Sequence, residues 1–166
     1  KVREKILFET EWKKTISMLQ DQLRPSYKVI ADFTEAPFVY SIRAMIQSIL
    51  YNLVSNAIKY RNPEIDLLVE LKTSSLENQD IVLMVRDNGL GFDLDSQREN
   101  IFKLYKRFHT HVDGKGLGLY LVKTQIDTLG GKIAIESKIN RGTSFNITFP
   151  MPIDVSKQIF FEGEAA

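Results

Sequence analysis

The sequence predicts an α/β (α+β) two-layer sandwich, in which one mixed sheet of about five strands is covered by helices on one face. Apolar residues recur at helical spacing in three long segments, and apolar and polar residues alternate in most of the shorter ones. Glycine, proline and asparagine separate these segments. Their order is helix, strand, helix, two strands, loop, helix, two strands, which favours a layered fold over a bundle or a barrel.

The composition narrows the function classes. The 166 residues suffice for one domain with a buried core, and 43% hydrophobic with 26% charged residues is typical of a globular protein. A net charge of +1 gives no electrostatic reason to bind nucleic acid or an anionic membrane, so we expect neither as a partner. The absence of cysteine excludes disulfides and thiolate zinc sites, and we expect a cytoplasmic location.

The first half of the chain contains two predicted helices around one strand. Apolar spacing predicts a helix from about Lys5 to Leu23, which Pro25 ends. Alternation from Tyr27 to Phe33 predicts a half-buried strand. A long helix is predicted from about Ser41 to Tyr60, and Asn62-Pro63 stops it.

Two strands and a long loop are predicted next. The strands run from Leu67 to Thr73 and from Asp80 to Arg86, and the second contains an apolar run that predicts an inner strand buried on both faces. Residues Asn88 to Lys115 form a loop with a short helix near Gln97 to Leu104. Because a loop of this length in a compact domain is usually functional, we expect it to contribute to a binding site.

The last elements are a helix and a hairpin. The helix is predicted from about Gly118 to Leu129 and ends at Gly130-Gly131, since glycine commonly terminates helices. Strands from Lys132 to Lys138 and from Thr143 to Phe149 follow, joined by a turn. Residues 151–166 show no clear pattern and are expected to form a peripheral tail.

Three polar residues on the long helix form the first candidate site. Asn52, Asn56 and Lys59 fall together at one edge of the apolar stripe, which consists of Ile42, Ile46, Ile49, Leu53 and Tyr60. Amide oxygens are hard neutral ligands that suit Mg²⁺, and a nearby lysine can neutralise phosphate. A solvated helix face is the alternative interpretation.

Two glycine-rich segments form the second and third candidate sites. Asp87 ends a predicted inner strand and precedes Gly89 and Gly91, so its carboxylate can lie on a cleft floor and accept a hydrogen bond from an amine such as that of adenine. An Asn-Gly hairpin turn is the alternative. Gly114 to Leu119 opens a helix, where free N–H groups attract anions, although neither the Walker A loop nor the Rossmann fingerprint fits. A flexible hinge is the alternative there.

Together these residues resemble the ATP-binding catalytic domain of histidine kinases, in the superfamily that includes gyrase, the ninety-kilodalton heat-shock chaperone and mismatch-repair ATPases. The resemblance implies the Bergerat ATP-binding fold. It extends from about Phe8 to Pro150 and rests on the N box Asn52–Tyr60, the first glycine box Asp87–Phe92, the F box Ile101–Tyr105, the second glycine box Gly114–Leu119 and a closing hairpin from Gly130 to Phe145. Residues 1–22 are then expected to be the end of a linker plus the first helix, 23–150 the catalytic domain and 151–166 the tail.

The resemblance also implies roles for single residues. Asn56, helped by Asn52, would hold Mg²⁺, Lys59 would face phosphate, and Tyr60 would stack near adenine. Asp87 would accept the adenine amino group. Residues 102–115 would form the ATP lid, with Arg107 as a candidate for the γ-phosphate. The remaining residues expected at ATP are Gly89, Gly91, Phe102, Gly114, Lys115, Gly116, Leu117, Gly118 and Leu119.

The implied function is a protein-histidine kinase that uses ATP and Mg²⁺. Hydrolases and serine kinases of this superfamily resemble one another in carrying a glutamate general base where this chain has Asn52, which cannot take a proton. His109 and His111 lie in the predicted lid, so we expect the acceptor histidine on a separate dimerisation domain, and a response regulator receiver domain downstream. The alternatives are a regulatory nucleotide-binding module without phosphotransfer, an ATP-hydrolysing relative, and a protein-interaction domain without a ligand.

Overall fold

The protein is described from a computed structural model, which covers residues 2–102 and 118–152. One main sheet and a small two-stranded sheet are present among them. The elements are β1 (Glu4–Leu7), α1 (Phe8–Leu19), a 3₁₀ turn (Gln20–Gln22), β2 (Lys28–Asp32), β3 (Phe38–Ser41), α2 (Arg43–Lys59), β4 (Leu68–Ser75), β5 (Ile81–Asp87), α3 (Leu94–Gln97), α4 (Gly118–Thr128), β6 (Lys132–Lys138) and β7 (Gly142–Phe149).

The main sheet has five strands in the order β2-β4-β5-β7-β6, which confirms the predicted mixed sheet. β2 pairs with β4 in parallel, and the remaining neighbours are antiparallel. β5 is the central strand, with Leu83 opposite Thr73 on one side and Ile147 on the other. Asp87 therefore ends an inner strand, as the sequence predicted.

The helices cover one face of this sheet. Leu71, Leu83, Val85 and Ile147 point to that face and are at most 2% exposed. Helix α2 packs on them through a stripe of buried residues, and α1 and α4 lie against α2. On the other face Val82 and Met84 of β5 are only partly buried, so the prediction that this strand is buried on both faces is wrong. The helices cover only one face of this largely antiparallel sheet, so the apolar side chains on the other face are shielded only in part.

The predicted first helix is wrong at its start. Glu4–Leu7 forms β1, which pairs antiparallel with β3, and Ile6 of β1 is fully buried while Leu7 is 47% exposed. The predicted second helix likewise begins too early, because Ser41 belongs to β3 and the helix starts at Arg43. Both errors come from pairing across more than thirty residues of sequence, which helical spacing does not reveal.

Smaller differences concern a short helix and two residues of the stripe. The helix predicted near residues 97–104 is observed as Leu94–Gln97, and positions 103 and 104 lie outside the described residues. Ile42 and Tyr60 are the caps of α2 and are only partly buried, whereas Leu50 and Val54 complete its core face. No helix in the described part of the chain has the length and apolar character needed to cross a membrane.

Candidate functional site

The two asparagines of α2 present their amide oxygens to the beginning of α4. The amide nitrogen of Asn52 donates to Ser48 O at 2.8 Å and approaches Ser48 Oγ at 3.2 Å, so the NH₂ group is used within the helix. A Cβ atom placed on Gly118 would lie 3.3 Å from Asn56 Oδ1 and 3.5 Å from Asn52 Oδ1. The absence of a side chain at Gly118 thus keeps space beside both oxygens.

Asp87 is a partly buried carboxylate that is held by backbone N–H groups. Gly89 donates its N–H to Asp87 Oδ1 at 2.8 Å, and the N–H of Thr143 on the β6–β7 hairpin also donates to this carboxylate. Burial raises the pKa of Asp87 from its ordinary value of 3.8 to about 6, against the lowering effect of these two hydrogen bonds. Above that pH the group is an acceptor with no proton of its own to donate.

The glycine turn after β5 is fixed between α2 and the β6–β7 hairpin. Leu90 donates its N–H to Tyr60 O at 2.9 Å, and Asn140 donates its N–H to Leu90 O at 2.6 Å. Gly91 has φ +61°, and a Cβ atom there would lie 2.0 Å from Lys138 O. Only glycine fits this position, because the backbone conformation is left-handed and the hairpin is in direct contact.

These elements surround one cavity. Its lining residues are Asn56, Tyr60, Asp87, Gly91, Phe92, Leu119, Thr143 and Phe145. Five of them were candidates from the sequence, and Gly89 is buried behind Asp87 as the donor to its carboxylate. The structure therefore brings the long helix, the first glycine segment and the beginning of α4 to one place.

Other candidates are not brought to the cavity by any described contact. Lys59 is exposed, and Phe102 is partly buried; neither lines the cavity. Asn52 does not line the cavity either, but its amide oxygen lies beside Gly118 at the beginning of α4. Arg107, the segment from Gly114 to Leu117, the predicted lid as a whole beyond Phe102, and both histidines lie outside the described residues.

Three lining residues and two supporting side chains were missed from the sequence. Phe92, Thr143 and Phe145 line the cavity, but their motifs indicated a turn and a strand rather than a ligand contact. Asn88 uses its side chain to tie β5 to β4, accepting from Leu68 N–H at 2.8 Å and donating to Asp66 O at 3.0 Å. Ser137 on β6 accepts the N–H of Phe92 at 3.0 Å. No local pattern in the sequence distinguishes these two from ordinary turn and strand residues.

The amide oxygens of α2 suit Mg²⁺ more than a metal ion whose ligands all come from the protein. Two neutral amide oxygens face the same side of the helix, beside Gly118. Within residues 2–102 and 118–152, no group of three or more His, Cys, Asp or Glu side chains is arranged to hold a metal ion. Mg²⁺ typically keeps several waters and takes further ligands from substrate phosphates, so one or two protein oxygens suffice.

Comparison with known proteins identifies the type of domain. A family model described as histidine kinase-, DNA gyrase B- and HSP90-like ATPase matches residues 42–153. The sensor protein RprX of Bacteroides fragilis is 35% identical over 122 residues, which cover 69% of this chain and 22% of RprX. The signal transduction histidine-protein kinase BarA of Escherichia coli (strain K12) is 32% identical over 123 residues, which cover 71% of this chain and 13% of BarA. The matched region is thus a minor part of both relatives.

Two solved structures share the fold. The mycobacterial sensor histidine kinase MprB superposes with a TM-score of 0.77 at 20% identity, covering 90% of this chain and 100% of that one. The catalytic domain of histidine kinase ThkA superposes with a TM-score of 0.73 at 22% identity, covering 90% of this chain and 96% of that one.

Proposed function

Since this chain belongs to the family of histidine kinase-, DNA gyrase B- and HSP90-like ATPases, we propose that it binds Mg-ATP and donates the γ-phosphate to a histidine on a separate dimerisation domain. One observation carries this proposal: Asn56 and Asp87 line the same cavity, and the beginning of α4 leaves space at Gly118 beside the amide oxygens of Asn52 and Asn56. The cavity thus combines an asparagine amide, a carboxylate and the beginning of a helix. These suit, respectively, the metal ion, the base and the phosphates of one nucleotide.

Asp87 would accept a hydrogen bond from the adenine amino group, because its carboxylate faces the cavity and is ionised above about pH 6. Tyr60, Gly89 and Gly91 would surround the base. Asn56 and Asn52 would hold Mg²⁺, which neutralises phosphate charge when it is bound. Lys59, Arg107 and the segment from Gly114 to Gly118 remain predicted phosphate contacts.

The amide at position 52 supports a kinase with a histidine acceptor rather than a hydrolase. Its nitrogen donates to Ser48 within the helix, and an amide cannot remove a proton from water. An imidazole acceptor needs no such base, since it is a nucleophile at neutral pH. We infer that catalysis rests on positioning the phosphoryl group and on neutralising its charge. The phosphohistidine would then donate its phosphoryl group to the receiver domain of a response regulator. We expect both steps in the cytoplasm, where ATP is available.

Titration calorimetry with Mg-ATP tests the nucleotide site. We expect saturable binding by the wild-type chain and at least about tenfold weaker binding by Asp87→Asn, since the amide would present a donor to the adenine amino group. Asp95→Asn is the matched control, because it removes the same charge from a side chain that is 95% exposed. Equal affinity in wild type and Asp87→Asn would contradict the adenine assignment.

A transfer assay tests the kinase step. With γ-labelled ATP and an added domain that carries the acceptor histidine, we expect label on that domain that is stable in base and lost in acid. Binding without transfer would favour the regulatory module instead. Release of labelled phosphate in the absence of any acceptor would favour the ATP-hydrolysing alternative.

A further inference from the structure

Ser137 lies where the glycine turn and the β6–β7 hairpin meet, behind the cavity wall. Its hydroxyl oxygen is 3.0 Å from Phe92 N, 3.1 Å from Gly142 O and 2.9 Å from Thr143 Oγ1. Phe92, Gly142 and Thr143 are all buried, while Ser137 itself is half-buried on β6. One side chain thus connects the turn that follows Asp87 to the strand that donates to Asp87.

The three distances fix the direction of each hydrogen bond. A hydroxyl group has one hydrogen and two lone pairs. The N–H of Phe92 must donate, and the carbonyl of Gly142 must accept, so the hydrogen of Ser137 points to Gly142. The remaining contact, to Thr143, is then one in which the threonine hydroxyl donates to Ser137.

This direction determines what Thr143 offers to a ligand. Because its hydroxyl hydrogen is committed to Ser137, Thr143 Oγ1 has only lone pairs available to the cavity that it lines. Its backbone N–H is committed to Asp87. Thr143 and Asp87 therefore present hydrogen-bond acceptors side by side, an arrangement that suits a donor group such as an exocyclic amine, directly or through one water.

Resting on the proposed nucleotide site, we propose that Ser137 is a positioning residue for adenine recognition, which orients the Thr143 hydroxyl as an acceptor and holds the glycine turn against the hairpin. Ser137 is not in the lining that contains Asn56, although it lines an adjoining cavity with Asp87, Phe92 and Thr143. Its effect on a ligand beside Asn56 is therefore exerted through Thr143 and Phe92. Removal of its hydroxyl leaves the Thr143 hydroxyl free to rotate and removes an acceptor from the buried N–H of Phe92.

The test compares ATP with purine riboside triphosphate, which lacks the 6-amino group, as Mg complexes in calorimetry. Wild-type protein should prefer ATP. In Ser137→Ala we expect ATP affinity to fall about five- to tenfold, which corresponds to about 1 to 1.4 kcal/mol, and the affinity for the analogue to change less than about twofold. Ser137→Thr, which keeps the hydroxyl, should restore the preference for ATP, and Ser144→Ala on β7 should leave it unchanged.

The outcomes separate this inference from the proposed function. If Ser137→Ala keeps the wild-type preference, or if it weakens both nucleotides equally, Ser137 has no role in adenine recognition although the nucleotide site stands. If the wild-type chain binds neither nucleotide, the proposed function fails and this inference fails with it.

Discussion

Replacing Asp87 by asparagine should stabilise the nucleotide-free protein, although the same change should weaken ATP binding. The folded-state pKa of about 6 lies above the ordinary value of 3.8, so the folded protein holds this proton more tightly than the unfolded chain does. Stability from the protonated form is therefore present below about pH 4 and is lost as the pH rises through about 6. The shift of roughly two units corresponds to about 3 kcal/mol at pH 8 if the site were fully shielded from solvent.

Because Asp87 is only partly buried, solvent screening reduces this value, and we expect Asp87→Asn to gain about 1 to 2 kcal/mol at pH 8. For a domain of this size that gain raises the melting temperature by about 2 to 8 °C. The measurement is thermal and urea unfolding of both proteins between pH 4 and 8 without nucleotide. The difference between them should increase across pH 4 to 6 and then level off.

The control for this experiment is Asp95→Asn, whose effect should stay within about 0.5 kcal/mol at every pH because the side chain is 95% exposed. The reasoning is refuted if Asp87→Asn melts at or below the wild-type temperature at pH 8. It is also refuted if both proteins lose stability equally between pH 4 and 6, since the titrating group would then be another one.

Four further single substitutions and one double variant test the packing of three glycines and a buried ion pair. Gly91→Ala should cost at least about 3 kcal/mol in urea unfolding, because its Cβ would lie 2.0 Å from a backbone oxygen at φ +61°, whereas Gly130→Ala, with its nearest atom 3.7 Å away, should cost only about 1 kcal/mol. Gly118→Ala should keep its melting temperature but bind Mg-ATP about tenfold more weakly in calorimetry, since the methyl group would crowd the two amide oxygens. Arg43→Ala should cost about 2 to 4 kcal/mol in urea unfolding, because the buried carboxylate of Glu11 would keep only Lys14 as a counter-charge, and the double variant with Glu11→Gln should recover part of this loss. Equal losses for the two glycines, unchanged nucleotide affinity, or no recovery in the double variant would contradict the respective argument.

Helices and strands whose type is determined by their own local sequence were predicted correctly. Helix α2 and the strands of the main sheet follow from local periodicity, so their type and order agree with the structure. β1 and β3 were missed because each has four residues and is stabilised by the other, 31 to 37 positions away. Ile6 fits both a helical stripe and a strand, and only the partner strand decides between them.

The cavity lining could be predicted from the sequence only where its residues lie in motifs, and their binding roles stay predictions. Asn56, Asp87 and Gly91 were recognised because each belongs to a characteristic pattern and the patterns occur in a fixed order. Ser137 and Asn88 were missed because their roles depend on which strand lies beside which turn. The hydrogen bond from Phe92 to Ser137 spans 45 residues, and the one from Leu68 to Asn88 spans 20. Such contacts are properties of the assembled sheet rather than of any segment.

Glu11 and Asp87 are two carboxylates removed wholly or partly from solvent, and they differ in whether a cation balances their charge. Glu11 is fully buried, but it lies in contact with Arg43 and is 3.3 Å from Lys14, so cations balance its charge. Asp87 receives backbone N–H groups, and within the described residues no lysine or arginine forms a salt bridge with it. A fold that only needed to be stable would replace such a group by an amide, because its ionisation is unfavourable there. That Asp87 persists on the wall of the cavity is therefore understandable if a ligand supplies the missing hydrogen-bond donor, which is the role proposed for the adenine amino group.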